Sequence, residues 1–254
     1  MEQYFGIRYE FDPLAVDRAI ERQLQTGKSS YICVSDGVVV DNVHNNPTYG
    51  DVINGGMFSI CDSSFVPLYL RWIYSIDRGQ YCGHDLFMHV VGQRKYRMMF
   101  LGTSRNILDP LRRRLTEIDP AVADMKFEEL PFADVDGFDY EAIGKMVNDD
   151  APDIIWVALG APKQEQFMNR LRPFVKRGVL ISVGAVFKFV AGVEARRAPR
   201  WVVKAHLEFI YRIFSEPRKQ LRRCRSILGT LPAVLIEEYK RSKAARTGSC
   251  LSKK

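Results

Sequence analysis

Residues 154–159 form an apolar run, Ile-Ile-Trp-Val-Ala-Leu, in which polar and apolar positions do not alternate. A run this short without alternation predicts a strand that is buried on both faces, which is typical of parallel sheets covered by helices. Gly160 ends the run, and Pro162 suits the first turn of a following helix. Gln164 and Glu165 are therefore expected where a strand gives way to a helix, and ligands bind at that edge of open α/β sheets. A polar connection without a function is the alternative.

Strand and helix patterns alternate along the chain. In the second half, strands are predicted over 96–101, 125–127, 154–159 and 178–183, with helices over 106–115, 140–147 and 163–171 between them. In the first half, helices are predicted over 14–24, 66–76 and 83–91, strands over 30–34 and 57–61, and a turn over 45–47. Such alternation is typical of right-handed βαβ units on a parallel sheet. The predicted fold class is α/β, a Rossmann-like parallel sheet flanked by helices, with a basic helical C-terminal appendage.

Charge is divided unevenly along the 254 residues. Residues 196–254 hold 16 Lys and Arg against 4 Asp and Glu, whereas the remainder holds 21 against 26. We therefore divide the chain into an α/β core, 1–195, and a basic amphipathic appendage, 196–254, whose end is expected to fray from about residue 240. A basic tail suits an anionic membrane surface, a phosphorylated ligand or nucleic acid, and a merely solvated tail is the alternative. Because the tail lacks the motifs of nucleic-acid-binding domains, we expect no nucleic-acid partner.

Other global features point to the cytoplasm. The sequence has no run of 18 apolar residues, so no membrane-spanning helix is expected, and its first residues lack the pattern of a signal peptide. The five cysteines are scattered, without the spacing of a metal site, which favours reduced thiols.

Three residues that follow predicted strands are candidates for a site. Asp62 comes directly after the strand 57–61, where it can cap the next helix or act as a general base in a cleft. Gly102 and Gly184 also follow strands, and small residues there let a ligand approach the backbone. Ordinary tight turns are the alternative for both glycines.

Two sets of charged residues could act on a diphosphate. Asp134-Val135-Asp136 is an Asp-x-Asp triplet, a pattern that many sugar-nucleotide transferases use to hold a divalent metal, although such triplets also arise by chance. The appendage instead offers arginines, whose forked guanidinium groups match phosphate oxygens and can neutralise a leaving diphosphate without a metal. A metal-dependent transferase that uses Asp134 and Asp136 is therefore an alternative to one that uses the appendage.

Short motifs follow one another along nearly the whole chain. The most specific is Leu159-Gly160-Ala161-Pro162-Lys163-Gln164-Glu165. The others are Phe5-Gly6-Ile7, Ile60-Cys61-Asp62, Cys82-Gly83-His84-Asp85-Leu86, Phe100-Leu101-Gly102, Val183-Gly184-Ala185-Val186-Phe187, Arg197-Ala198-Pro199, Leu207-Glu208-Phe209-Ile210-Tyr211-Arg212 and Glu216-Pro217-Arg218. Together and in this order they resemble the WecG/TagA/CpsF glycosyltransferase family, which is glycosyltransferase family 26.

The resemblance implies a reaction and a set of roles. It implies inverting transfer of a sugar, often of N-acetylmannosamine type, from a UDP-sugar to a sugar on a polyprenyl diphosphate, without a metal or other cofactor. The product would enter a surface polysaccharide such as capsule, exopolysaccharide or teichoic acid. Asp62 matches the family's base and Ser35 its upstream threonine. The donor- and substrate-binding residues that it implies are Gly102, Gln164, Glu165, Gly184, Arg212, Arg218, Lys219 and Arg222. The implied location is the cytoplasm, peripheral at the inner face of the bacterial cell membrane, in contact with anionic lipid.

Four positions depart from the family pattern: Gly37, Ser63, Gln80 and Lys188. Altered choice of donor or acceptor is one consequence. A catalytically inert homologue that binds a sugar nucleotide or glycolipid is the alternative. The sequence leaves open the two sugars, the linkage and whether the protein forms a homo-oligomer.

Overall fold

The structure is a computed structural model that describes residues 2–193 and 217–251, with side chains in the second range described for 225–244. The strands are β1 (Glu2–Tyr4), β2 (Ile7–Glu10), β3 (Ser29–Ser35), β4 (Phe58–Cys61), β5 (Met98–Leu101), β6 (Lys126–Glu128), β7 (Ile154–Val157) and β8 (Gly178–Ser182). The helices are α1 (Pro13–Gln25), α2 (Gly37–Asn45), α3 (Pro47–Asn54), α4 (Phe65–Tyr74), α5 (Gly83–Gly92), α6 (Arg105–Ile118), α7 (Tyr140–Asp150), α8 (Lys163–Leu171), α9 (Val186–Ala191) and α10 (Pro217–Leu251).

All eight strands lie in one sheet, in the order β1-β2-β4-β3-β8-β7-β5-β6. Neighbouring strands pair in parallel except in the antiparallel β1–β2 hairpin. The strand predicted from the apolar run at 154–159 is β7, two residues shorter than predicted and buried along its whole length. The predicted α/β class, with a largely parallel sheet, is confirmed.

Helices cover both faces of the sheet. On one face, α1, α5, α6 and α9 bury a cluster in which the Phe87 ring lies 4.8 Å from that of Trp156. On the other face, α2, α3, α4, α7 and α8 bury a second cluster around β7 and β8. Because β7 contributes Trp156 to the first cluster and Ile155 and Val157 to the second, every residue in this stretch must be apolar. This explains the missing alternation in the sequence.

Helix α10 packs against the core through α2 and α4. Val234 is buried in the second cluster, and Ser226 Oγ donates a hydrogen bond to Asp41 Oδ2 of α2 at 2.5 Å. Tyr74 of α4 donates a hydrogen bond to the buried Glu238 at 2.7 Å. The helical appendage is thus docked along 226–242. In the part of the chain that the structure describes, no helix is both long and apolar enough to cross a bilayer.

Several local features differ from the sequence predictions. The turn predicted at 45–47 is the junction of two helices that were not predicted, where Asn45 ends α2 and the Asn46 side chain accepts the Tyr49 N–H as the N-cap of α3. The β1–β2 hairpin was not predicted, because its strands are only three and four residues long. The expected fraying from residue 240 is not seen, since α10 continues to Leu251.

Candidate active site

Ser35 and Asp62 lie side by side at one edge of the sheet. Ser35 is the last residue of β3, and it pairs with Cys61 at the end of the neighbouring strand β4. The Asp62 N–H donates a hydrogen bond to the Ser35 carbonyl at 3.0 Å. The two residues are 27 positions apart in sequence, and only the pairing of β3 with β4 brings them together.

The topology places a switch point at this edge, between β3 and β8, and we call the space between the two loops there the crevice. After β3 the chain enters α2, whose Val39 belongs to one core cluster, whereas after β8 it enters α9, whose Phe187 belongs to the other. The two loops therefore turn to opposite faces of the sheet although their strands are hydrogen-bonded neighbours. Such a switch point at the carboxyl ends of parallel strands is where open α/β sheets bind their ligands.

The Asp62 carboxylate is half-buried and lies at the start of α5. Its Oδ1 accepts the Gly83 N–H at 3.1 Å, and its carbonyl accepts a hydrogen bond from Gln80 Nε2 at 3.0 Å. Asp62 does not cap α4, as one sequence interpretation had it; Ser63 Oγ accepts the backbone N–H groups at the start of that helix instead. Two of the departures from the family pattern, Ser63 and Gln80, thus lie beside the proposed base.

Ser35 has a buried hydroxyl. Its side chain is fully buried, and its Oγ has no hydrogen-bond partner among the described residues. Buried polar atoms are paired in the large majority of cases, so an unpaired hydroxyl next to Asp62 is unusual and keeps Ser35 among the candidate site residues.

Gln164 connects the turns that follow β7 and β8. Its Oε1 accepts the N–H of Gly160 at 3.1 Å and the N–H of Gly184 at 3.0 Å. Its Nε2 donates to Glu165 Oε1 at 2.8 Å, and the other carboxylate oxygen of Glu165 accepts the Tyr49 hydroxyl at 3.1 Å. Burial raises the pKa of Glu165 to about 7, against the lowering effect of the hydrogen bonds from Gln164 and Tyr49.

These contacts give the predicted donor-side residues specific positions. Gln164 is 4% exposed and Glu165 is fully buried, and the hydrogen bonds place Glu165 between Gln164 and Tyr49 of α3. Tyr49 was not predicted, because it lies 116 residues before Glu165 and no local spacing links the two. Gly102 is buried at the end of β5, where a Cβ atom would lie 2.7 Å from the Ala158 carbonyl oxygen. Glycine is required there for the close approach of two strand ends.

The proposed diphosphate-binding cations lie only partly within the described residues. Arg212 is outside them, and Arg218, Lys219 and Arg222 lie in the part of α10 whose side chains are not described. A side chain of α10 nevertheless reaches the site edge. A Cβ atom on Gly37, two residues after Ser35, would lie 3.4 Å from the Ile227 Cδ1 atom of α10.

The Asp-x-Asp triplet lies beyond β6, at the outer edge of the sheet. The Asp136 carboxylate forms an ion pair with Arg170 of α8, and Asp134 precedes a short 3-10 turn. Within residues 2–193 and the described side chains of α10, no cluster of three or more His, Cys, Asp or Glu could hold a metal ion.

Comparison with known proteins shows which family the chain belongs to. The sequence model described as "Glycosyl transferase WecG/TagA/CpsF family" matches residues 3–246. An N-acetylglucosaminyldiphosphoundecaprenol N-acetyl-beta-D-mannosaminyltransferase from Bacillus spizizenii is 26% identical over 228 residues, covering 89% of this chain and 86% of the relative. A protein of the same name from Staphylococcus aureus (strain MW2) is 22% identical over 234 residues, covering 87% and 83%.

Proposed function

Because the chain belongs to the WecG/TagA/CpsF family of glycosyltransferases, we propose that it transfers a sugar from a UDP-sugar to a sugar carried on a polyprenyl diphosphate. The names of the two relatives describe an acceptor of this kind, N-acetylglucosamine on undecaprenyl diphosphate, and transfer of an N-acetylmannosaminyl group. Because the two relatives are 26% and 22% identical to this chain, the identities of its donor and acceptor sugars are part of the proposal. The observation that carries it is the pair Ser35 and Asp62 at the crevice.

In the proposed reaction Asp62 is the general base. Its carboxylate accepts the proton of the acceptor hydroxyl while that oxygen attacks the anomeric carbon from the face opposite UDP. The bond from the anomeric carbon to the diphosphate oxygen breaks with its electron pair, UDP leaves, and the configuration is inverted. The unpaired Ser35 hydroxyl is available to hydrogen-bond a sugar or phosphate oxygen beside the base. We expect Gly102, Gln164 and Gly184 to border the donor.

The leaving UDP gains negative charge. We propose that cations of the appendage, rather than a metal ion, neutralise this charge. Arg212, Arg218, Lys219 and Arg222 are the proposed groups, and guanidinium and ammonium groups can stabilise a departing diphosphate directly. The contact of Ile227 with Gly37 supports this proposal, because it brings the N-terminal half of α10 to the edge that carries Ser35.

We also propose that the protein rests on an anionic membrane, where such an acceptor resides. Phe65, Leu68 and Trp72 share one face of α4 and are 43%, 50% and 67% exposed. The Trp72 ring stacks on that of Tyr239 of α10, which is also exposed, at 6.4 Å. Exposed apolar side chains grouped in this way, with the basic charge of the appendage around them, suit the surface of an anionic bilayer.

Turnover of a panel of UDP-sugars with a short-chain polyprenyl-diphosphate-linked N-acetylglucosamine tests the transfer. We expect one donor to release UDP and extend the acceptor, and to do so equally in excess EDTA. UDP-sugar binding without turnover of any donor would favour the inert homologue. Loss of activity in EDTA would favour the metal-dependent alternative with Asp134 and Asp136.

The role of Asp62 has its own test. We expect Asp62→Asn to lower kcat by at least about 100-fold, because the amide cannot accept the proton, while the melting temperature stays close to that of wild type. Asp109→Asn, at an exposed position on α6, is the matched control and should retain full activity. Near-normal transfer by Asp62→Asn would exclude Asp62 as the base.

A further inference from the structure

The hydrogen bonds around Gln164 fix the orientation of its side-chain amide. The amide oxygen faces two backbone N–H groups, those of Gly160 and Gly184, and the amide nitrogen faces a carboxylate. A flipped amide would point its NH2 group at two N–H donors, so it would lose both of those hydrogen bonds. One orientation is therefore strongly favoured, and Glu165 supports it by accepting the hydrogen bond of the amide nitrogen.

Glu165 is itself held from a third element. Its second oxygen accepts the hydroxyl of Tyr49, which lies on α3 and is only 2% exposed. Both carboxylate oxygens are thus used within the protein, and neither Glu165 nor Tyr49 reaches the surface of the crevice. A residue in that position can affect a ligand only through its neighbours.

We propose that Glu165 and Tyr49 are positioning residues, which hold the Gln164 amide so that its oxygen ties the turns after β7 and β8 together at the donor-facing edge. The inference rests on the proposed function only for the identity of the ligand, a uridine nucleotide. The tie itself is a property of the fold, since the Gly160 and Gly184 amides belong to loops that turn to opposite faces of the sheet.

A series of variants separates this role from a merely structural one. Glu165→Leu removes both acceptor oxygens at similar volume. Glu165→Gln keeps an oxygen for the Gln164 amide, and its own NH2 group can donate to the Tyr49 oxygen, so it is the conservative rescue. Tyr49→Phe removes the hydroxyl group that donates the last hydrogen bond in the series from Gln164 through Glu165 to Tyr49. Tyr9→Phe is its matched control, because the Tyr9 hydroxyl is equally buried but has no partner among the described residues.

The first readout is amide hydrogen exchange, which needs no ligand. We expect Glu165→Leu to speed exchange at Gly160 and Gly184 by about tenfold or more, because each amide loses a well-oriented acceptor. Glu165→Gln and Tyr9→Phe should exchange at these two amides as wild type does. Unchanged exchange in Glu165→Leu, or equal acceleration in Glu165→Gln, would overturn the proposal.

The second readout is affinity for UDP, measured by calorimetry, together with donor kinetics. Glu165→Leu should weaken UDP binding and raise the donor KM by about tenfold with kcat changed less than threefold, and Glu165→Gln should recover most of that loss. Adding Glu165→Leu to Gln164→Leu should have no further effect, since both remove the same tie. Wild-type protein that neither binds UDP nor turns over a donor would contradict the proposed function. Wild-type protein that binds UDP, with a Glu165→Leu variant that binds equally well, would contradict the positioning role alone.

Discussion

At the scale of single residues, Glu165 is a carboxyl group that the fold buries completely. The desolvation that raises its pKa to about 7 outweighs its hydrogen bonds, and the other acidic groups that act on it or feel its charge are Asp36, Cys33 and Tyr49. In the unfolded chain the same carboxyl titrates near its ordinary value of 4.5. Between these two values the folded protein holds a proton that the unfolded chain has released.

The first prediction concerns stability and pH. The protonated Glu165 contributes stability that is fully present below about pH 4.5 and is lost as the pH rises through about 7. Since Glu165→Gln has no such proton to lose, its stability relative to wild type should rise between pH 5 and pH 8 by up to about 3 kcal/mol, at about 1.4 kcal/mol per pKa unit. Urea unfolding at both pH values measures this. Glu117→Gln, on the exposed side of α6, should show no such trend; parallel behaviour of Glu165→Gln and wild type would refute the prediction.

The residues of the site were predictable from sequence to different degrees. Ser35 and Asp62 directly follow predicted strands, and strand ends in a parallel sheet share an edge, so the pattern places both at one edge. Their proximity depends on the pairing of β3 with β4, which the pattern does not predict. The partners that bury Glu165 do not follow from the pattern either. Tyr49 lies on α3, a helix that was not predicted, and its contact with α8 depends on how two helices pack on one face.

At the scale of elements, α10 is held to the core by polar groups at each end of the contact and by an apolar centre. Asp41 of α2 accepts the hydroxyls of Ser226 and Thr230, Val234 is buried, and Glu238 accepts the Tyr74 hydroxyl. Buried carboxylates are costly unless they are paired, so these hydrogen bonds fix where the helix lies on the core.

Tyr74→Phe should loosen this helix. The variant leaves the buried Glu238 with one hydrogen-bond donor fewer, which we expect to cost about 1–3 kcal/mol, felt first in the docking of α10. Hydrogen exchange in peptides from 225–244 should accelerate more than in β7 or β8. Tyr81→Phe is the control, because that buried hydroxyl has no partner among the described residues. Equal effects of the two variants would contradict a specific role for the Tyr74 hydroxyl.

The elements themselves were well predicted where one periodicity extends over many residues. The central strands and the helices α1, α4, α5, α6, α7 and α8 were found within a few residues of their ends. Short elements carry too few residues for a period, and α9 and the β1–β2 hairpin were missed for that reason. The docking of α10 depends on buried polar pairs between distant segments, which no local pattern reveals.

At the scale of the whole molecule, the exposed apolar side chains are unevenly distributed. Phe65, Leu68, Trp72 and Tyr239 lie together on α4 and α10, on one face of the sheet. Leu14 is as exposed as Trp72, at 64% against 67%, but it lies on α1, which covers the opposite face. The two faces should therefore differ in their affinity for lipid.

Binding to phosphatidylglycerol vesicles tests this difference. We expect Trp72→Ser to weaken vesicle binding by about tenfold, because a large aromatic side chain is lost from the proposed membrane surface, and Leu14→Ser to leave it unchanged. Sedimentation with sucrose-loaded vesicles at low and high salt measures both the apolar and the electrostatic contributions. Equal binding by the two variants would argue against α4 as part of the membrane surface.

The sheet ends in short strands on both sides. The outermost strands, β1 and β6, have three residues each, fewer than a typical strand needs to template a partner. A second copy of the chain therefore finds little backbone to pair with at either margin. Self-association, where it occurs, would have to join helical surfaces side by side. A dimer through the exposed apolar side chains of α4 would use the surface that we assign to lipid, so such a dimer and membrane attachment would exclude each other.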